Sequence, residues 1–254
     1  MKKDWKSPRS RAQVEAQIPA SYQARDAETQ DRRELTFLLQ EAAFSDHIPI
    51  YCAIDLDQLP EEERELFCRV DFEPHGAIIL GQTVHEMFLF AEQDVPGIHG
   101  SRPVTAAQLI TENYLLDYRE KLEMQGYRAE IVLPEAVPDP KAAAMMAASR
   151  KGIVGKNERF LAGSYGCQIS AGLIITDAPL MGGDYRFPDV DPENSPCKNC
   201  EKCIKACPAG AITASGFDRE KCETYRNDPA NIEEPGTHTR LKCMACMEAC
   251  DGSL

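Results

Sequence analysis

The sequence lacks the marks of exported, membrane-spanning and nucleic-acid-binding proteins. No apolar run approaches the ~18 residues that are needed to span a bilayer. The N-terminus is charged, and no apolar stretch follows it to form a secretory signal. Basic residues are scarce: 28 Lys and Arg stand against 41 Asp and Glu, giving a net charge of −13. An acidic surface repels phosphate backbones unless its basic residues gather in one patch. We therefore expect a soluble cytoplasmic protein that does not bind membranes or the phosphate backbone of nucleic acids.

Internal repeats and histidine-based metal sites are also missing. No repeat of ~20–50 residues is visible, so a solenoid or a propeller is not expected. The histidines are scattered, and none stands at ligand spacing from a cysteine or from another histidine. We expect each to be exposed or hydrogen-bonded within the protein; they are His47, His75, His85, His99 and His238.

The composition is that of a folded protein with two domains. Apolar residues make up 43% of the chain and charged residues 27%, so a packed core is expected and general disorder is not. Strand-like and helix-like segments alternate up to about residue 185, which predicts a layered α/β domain over 31–185, after a loose arm at 1–30. Gly182, Gly183 and several prolines place the boundary before a second domain at 186–254.

The apolar periodicity predicts the main elements of the first domain. Strands are expected at 48–54, 77–80, 127–133 and 169–176, and the last of these has the composition of a central strand. Helices are expected from 32, over 60–67, from Ser101 to about Gln125, and from Pro140 to before Gly152. Gly126 suits the position after the long helix. The predicted buried stripe of that helix is Leu109, Ile110, Leu115, Leu116 and Leu122.

Cysteine is abundant in this sequence, and the positions of the cysteines indicate a chemical role. The chain has 11 cysteines, an odd number without an export signal, so a disulfide framework is not expected. Three are scattered, at Cys52, Cys68 and Cys167, whereas the other eight lie between Cys197 and Cys250. Eight thiolates make two sets of four, which indicates two metal centres.

The spacing of these cysteines is typical of a bacterial ferredoxin with two clusters. The run Cys-x2-Cys-x2-Cys-x3-Cys-Pro begins at Cys197, and in such proteins its fourth cysteine binds the other cluster. Zinc ribbons are the alternative, but they need two CxxC pairs rather than this run. We predict one [4Fe–4S] cluster on Cys197, Cys200, Cys203 and Cys250, and a second on Cys207, Cys222, Cys243 and Cys246.

A glycine-rich segment precedes the cysteines. The residues Gly152-Ile-Val-Gly155-Lys156-Asn157 could cradle a phosphate through backbone N–H groups, or could form a tight turn with a surface lysine. Cys167 follows nearby and is expected either as a small buried residue or in a redox or ligand role. Met145 and Met146, on an Ala-rich helix, are expected to fill the core.

The order of these motifs resembles epoxyqueuosine reductases. The resemblance rests on the GIVGKN segment, the turn Gly163-Ser164-Tyr165-Gly166, the strand that ends Thr176-Asp177-Ala-Pro-Leu180, and the eight cysteines after it. It covers about 30–250, and reductive dehalogenases share the layout more distantly. It implies an α+β fold, in which a nitroreductase-like domain that binds cobalamin precedes a ferredoxin-like domain with two [4Fe–4S] clusters. The cofactor contacts that it implies are Gly155, Lys156, Asn157, Ser164 and Tyr165.

The sequence departs from that family at three places. The tRNA-gripping helical repeats that follow the clusters in the family are not seen here, and Cys250 is followed by Asp251 rather than proline. The family's catalytic aspartate has no clear match, and Glu135 and Asp139 are the acids available, with Tyr165 as a further candidate proton donor. With the net charge of −13 as well, tRNA is not expected to be the substrate. The twin-arginine signal that is usual in reductive dehalogenases is missing as well.

Together these features predict an iron–sulfur oxidoreductase. Electrons from a redox partner would pass through the two clusters to a corrinoid or a small substrate held by the first domain, or to a corrinoid held by a partner protein. The alternative is a ferredoxin-type electron-transfer module without a catalytic site of its own.

Overall fold

The structure is a computed structural model that describes residues 27–84, 90–97, 100–133, 140–183, 189–236 and 239–250. Its centre is a four-stranded antiparallel sheet with the strand order β1-β2-β8-β5. The strands are β1 (Ile50–Asp55), β2 (Gly76–Thr83), β5 (Ala129–Val132) and β8 (Ile169–Thr176). All four predicted strands are present, and β8 is central as predicted, since it pairs on both sides and all eight of its residues are buried.

Helices cover both faces of this sheet, because its apolar side chains alternate between them. On one face, α1 (Ala27–Ser45) and α3 (Ala106–Met124) pack against β-strand residues that include Tyr51, Ile78 and Ile174. On the other face, α4 (Pro140–Ala147) and the 3-10 turn Glu65–Phe67 pack against residues such as Ile79 and Leu173. The short helix α2 (Glu61–Arg64) precedes this turn and has no buried residue. The predicted mixed fold of helices and sheet is confirmed.

The start and the buried stripe of the long helix differ from the prediction. Residues 100–105 form a strand, so the helix begins at Ala106, and Thr105 caps it through a reciprocal capping box with Gln108. The buried face runs through Ala107, Thr111, Leu115, Tyr118 and Leu122. Leu116 is 46% exposed, because it lies one position away from that face. Gly126 follows the helix with a φ of +91°, as predicted.

A second sheet was not predicted from the sequence. The hairpin of β3 (Glu92–Gly97) and β4 (Gly100–Thr105) pairs with the late strands β12 (Thr239–Leu241) and β11 (Glu233–Gly236), in the order β11-β12-β3-β4. The prolines at 96 and 103 and the lack of apolar alternation hide these strands from periodicity. This sheet joins the segment after Cys222 to the first half of the chain.

Short elements complete the described fold. A hairpin of β6 (Gly152–Val154) and β7 (Phe160–Ala162) carries the GKN turn. The cysteine segment contains the helices α5 (Lys202–Ala206), α6 (Arg219–Asn227) and α7 (Ala245–Glu248), with the small hairpin of β9 (Ile212–Thr213) and β10 (Gly216–Phe217) between α5 and α6. Within the described part of the chain, no helix combines the length and the apolar character that crossing a membrane requires.

Candidate redox site

A cavity lies between the central sheet and the cysteine segment. The cavity is partly open to solvent, and the space in it together with its open mouth is about 790 Å³. The sheet side is mainly apolar and is formed by β8 and its neighbours, with Val132, Met146, Phe160 and Leu173 among the lining residues. The opposite side brings Cys167, Glu158, Arg159, Arg226 and Met244 to the cavity. A pocket that is mostly apolar with a few polar groups at one end is the usual form of a small-molecule site.

The cysteine segment packs directly on this region. A third core cluster joins Val84, Ile153 and Leu161 of the first half of the chain to Met244 and Met247, and it also includes Cys167. Cys197, Cys246 and Cys250 pack partly buried against it. None of the eight cysteines between 197 and 250 forms a disulfide, and all eight are of intermediate burial. They therefore lie at the boundary between the core and the surface.

The electrostatic neighbours of Cys203 are thiols from both predicted sets. Burial, and then the charges of nearby thiolates, raise the pKa of Cys203 to about 11. Those neighbours are Cys197, Cys246, Cys200 and Cys250, three of which are the predicted partners of Cys203. The Cys200 backbone N–H donates to the Cys197 carbonyl at 3.2 Å and closes the turn that carries the first two cysteines of the first set.

The remaining thiols form the second group. Burial raises the pKa of the Cys222 thiol, and Cys246 and Cys207 raise it further, while Arg226 and Arg159 act in the opposite direction. Burial likewise raises the pKa of Cys243, whose thiol neighbours are again Cys246 and Cys207. The backbone N–H of Ala211 donates to the Cys207 Sγ at 3.3 Å. Cys222 and Cys243 therefore share two thiol neighbours, and their assignment to a second cluster stays a prediction.

Among the residues that the structure describes, no group of three or more His, Cys, Asp and Glu side chains stands in a metal-holding arrangement. The assignment of the cysteines to two clusters therefore rests on their spacing in the sequence and stays a prediction.

Cys167 lies between the cavity and the cysteine segment. It is 1% exposed, and a hydrogen bond with Cys250, followed by burial, raises the pKa of its thiol. The Asn157 Nδ2 donates to its sulfur at 3.5 Å. The buried position matches the first of the two roles expected for Cys167, and the contact with Cys250 places it beside a predicted cluster ligand.

The GKN turn contacts the cysteine loop rather than the cavity. The Lys156 Nζ donates to the backbone carbonyls of Lys198 and Cys200, at 3.0 and 2.9 Å. Asn157 is buried, and its Oδ1 accepts a hydrogen bond from the backbone N–H of Arg159 at 3.4 Å. A Cβ on Gly155 would lie 2.4 Å from Leu161, so the turn closes tightly on its own hairpin. The two residues that follow the GKN turn, Glu158 and Arg159, line the cavity.

Other predicted site residues lie elsewhere. Tyr165 lines a second, smaller cavity with Cys52 and packs beside the core of the central sheet. Ser164 belongs to the 3-10 turn Gly163–Tyr165, and its side chain lies outside the described residues, as do Glu135 and Asp139. Cys52 is buried and Cys68 is exposed. The binding and catalytic roles given to these residues stay predictions.

Two arginines at the cavity were missed by sequence reasoning. Arg226 lies one helical turn after Cys222, is 5% exposed and donates from Nη1 to the Cys243 carbonyl. Burial, and then the neighbouring charge of Arg159, lower the pKa of Arg226. The spacing of four residues from Cys222 was the available signal, but an arginine on a polar helix is ordinarily a surface residue.

Among curated proteins, the sequence is similar to epoxyqueuosine reductases. The chain is 28% identical over 152 residues to the enzyme of Listeria monocytogenes, a match that covers 53% of this chain and 38% of that protein. It is 30% identical over 103 residues to the enzyme of Synechococcus sp., covering 39% of this chain and 30% of the relative. The matches thus span about a third of the length of these relatives. No protein-family model matches the sequence.

Among solved structures, the fold is similar to those of reductive dehalogenases and epoxyqueuosine reductases. A catabolic reductive dehalogenase superposes with a TM-score of 0.61 at 15% identity, over 87% of this chain and 32% of that chain. An epoxyqueuosine reductase in complex with an epoxyqueuosine-modified tRNA stem loop superposes with a TM-score of 0.55 at 14% identity, over 85% of this chain and 64% of that chain. The predicted resemblance is therefore confirmed: the chain is related in sequence to epoxyqueuosine reductases and shares its fold with them and with reductive dehalogenases. These relatives are reductive enzymes by name, in agreement with the predicted class.

Proposed function

We propose that this protein is an iron–sulfur reductase of the epoxyqueuosine reductase and reductive dehalogenase type. Two [4Fe–4S] clusters, on the cysteine sets assigned above, would carry electrons from a redox partner towards the cavity. The observation that carries the proposal is the position of the cavity: Cys167, Arg226 and Met244 line it, and each lies beside predicted cluster ligands. An electron acceptor bound there would be within short reach of a cluster.

The finer fold assignment belongs to the same proposal. The segment 31–185 would be a nitroreductase-like domain, and 186–254 a ferredoxin-like domain with two clusters. The antiparallel central sheet with helices on both faces supports the first assignment, and the two thiol groups support the second. The shared second sheet would hold the two domains together.

The donor groups around the cavity fit a corrinoid or a small substrate. A cobalt corrinoid, when bound, supplies a reduced metal centre for two-electron chemistry on the substrate. The apolar wall of Val132, Met146 and Leu173 would pack on an apolar ring face and exclude water, and Arg159 would face its polar edge. Lys156 and Asn157 would hold the turn in place behind Arg159. The open side of the cavity would let a longer nucleotide tail extend into solvent.

The substrate is proposed to be a small molecule rather than tRNA. The net charge of −13 disfavours approach of a polyanion. A corrinoid held by a partner protein is the second acceptor compatible with the open side of the cavity. The cytoplasmic location stays a prediction.

Metal and cofactor content tests the proposal. Protein reconstituted anaerobically with iron and sulfide should hold about eight irons per chain and show magnetic coupling between two reduced clusters. Titration with cobalamin should give saturable binding and a changed visible spectrum, with a flavin as the comparison ligand. Zinc alone, or about four irons, would contradict the two-cluster assignment. Two clusters without binding of either ligand at high micromolar concentration would favour the electron-transfer module.

A further inference from the structure

Arg226 is a buried cation that shares its carboxylate partner with a second cation. Its side chain is 6% exposed, and Glu92, itself 7% exposed, is the carboxylate that faces it, at 3.7 Å from Nη2 to Oε1. That carboxylate is shared, because the Lys242 Nζ lies 3.0 Å from the other Glu92 oxygen. Arg159 is a further cation beside Arg226, and the two repel each other. Burying like charges together is costly unless negative charge lies close to them.

The second cysteine set is a further source of negative charge beside Arg226. Arg226 is four residues after Cys222 on α6, so both side chains lie on the same side of the helix. Its Nη1 donates to the Cys243 carbonyl and lies 3.5 Å from the Met244 Sδ. Cys222 and Cys243 are both among the thiols whose charge acts on Arg226. The guanidinium is therefore packed against the loop and the helix that carry two predicted ligands of one cluster.

We propose that Arg226, assisted by Arg159, raises the reduction potential of the cluster held by Cys207, Cys222, Cys243 and Cys246, and so makes it the member of the pair that accepts electrons next to the cavity. The inference rests on the proposed function, since it requires both clusters. Arg226 acts here as a positioning and tuning residue, not a catalytic one.

The physical reason is the charge that accompanies the electron. Reduction by one electron adds a negative charge to the cluster, and a nearby buried cation stabilises that charge more strongly than water-screened surface charges do. Charge, hydrogen bonds and burial around a cluster are known to set its potential. Lys156, the cation at the other set, is bonded to backbone carbonyls of the Lys198–Cys200 loop and is more exposed, so its effect is expected to be smaller.

The experiment is an anaerobic redox titration of the reconstituted full chain, followed by electron paramagnetic resonance. Arg226→Gln should reduce the equilibrium constant for reduction of one cluster roughly tenfold, a downward shift of about 59 mV for one electron. The shifted signal should be the one that Cys207→Ser alters and Cys200→Ser does not. Arg226→Lys should keep most of the wild-type potential, because it keeps the charge.

Matched controls separate charge from folding. Arg219→Gln removes an exposed arginine of the same helix that pairs with Glu223, and it should leave both potentials unchanged. If Arg226→Gln does not assemble its clusters, Arg159→Gln provides the test, with a smaller downward shift expected. Eight irons with both potentials unchanged in the arginine variants would overturn this inference but leave the proposed function standing. An iron content near four or zero in the wild-type protein would overturn both.

Discussion

Lys156 shows how one side chain can serve the cysteine loop instead of a ligand. Two of its three N–H donors are used on the carbonyls of Lys198 and Cys200, both within the turn that carries predicted ligands. A lysine in a glycine-rich segment suggests phosphate binding from sequence alone, and that role stays a prediction. The structure adds a second task, which is to fix the loop that the first cluster would occupy.

Removal of this ammonium should loosen the first cluster. Hydrogen bonds that involve a charged group are worth ~1.5–3 kcal/mol, so Lys156→Met should speed iron release to a chelator roughly tenfold. Lys198→Met is the matched control, because its own ammonium pairs with exposed Glu193 on the surface. A Lys156→Met protein that releases iron at the wild-type rate but binds cobalamin weakly would assign the lysine to the ligand instead.

The cysteine sorting can be tested one residue at a time. Cys207→Ser should remove the signal of the cluster that Cys222→Ser also removes, and Cys200→Ser should remove the other. Cys52→Ser and Cys68→Ser should keep about eight irons per chain, since these thiols lie apart from both sets. Iron analysis and paramagnetic resonance of the five variants provide the measurement. Loss of a whole cluster on changing Cys52 or Cys68 would show the sorting to be wrong.

At the scale of elements, the hairpin of β6 and β7 positions the turn that reaches the cysteine loop. Gly152 begins this hairpin opposite Ala162, and a Cβ there would lie 2.1 Å from the Leu161 carbonyl oxygen. Because that oxygen belongs to the backbone, it has little freedom to move aside. The close approach of the two strands therefore requires glycine.

Gly152→Ala should distort the hairpin and destabilise the protein. Overpacking of this kind costs ~1–3 kcal/mol, and the displaced turn should also weaken the Lys156 contact with the Cys200 carbonyl. Chemical denaturation and iron content measure the two effects. Val154→Ala, at a 39% exposed position in the same hairpin, should change the free energy of unfolding by less than about 1 kcal/mol. Equal stability of the two variants would contradict this account of Gly152.

Elements with strong local signals were predictable from the sequence, and those built by distant partners were not. β8 was predicted because eight buried residues in a row leave an apolar run. The hairpin of β3 and β4 was missed because Pro96 and Pro103 break the pattern and its pairing with β12 is distant in sequence. Cysteine spacing gave the candidate ligands directly. The cavity residues Arg159 and Arg226 meet only in the folded chain, so no local pattern could bring them together.

At the scale of the whole molecule, the second sheet makes the cysteine segment and the first half of the chain depend on each other. Arg240 pairs with Asp94 at 2.7 Å, and Lys242 with Glu92 at 3.0 Å, across the junction of β12 and β3. Lys242 directly precedes Cys243 in the sequence, and Arg240 lies three residues before it. Ordering of the cysteines around a cluster is therefore expected to order β12 and, through it, β3.

Removal of iron should loosen this sheet selectively. Binding that occurs only in the folded state stabilises that state, and metal binding is coupled to folding in small cysteine-rich segments. Amide hydrogen exchange of β3 and β12 should accelerate in the iron-free protein, while β8, buried at the centre of the other sheet, should stay protected. Uniform acceleration across both sheets would indicate global unfolding instead. No change in β3 would show that the junction does not transmit the loss of the cluster.

The pairing of β3 with β12 also has a consequence for synthesis on the ribosome. Asp94 and its partner Arg240 are 146 residues apart in the sequence. At a synthesis rate of ~5–20 residues per second, β12 is therefore made roughly 7–30 s after β3. During that interval the outer edge of β3 is open to pairing with other nascent chains. The sequence of this strand, Glu-Gln-Asp-Val-Pro-Gly, contains two acids and a proline. Charge and proline are the means by which open strand edges resist aggregation, so the strand is protected until its partner emerges.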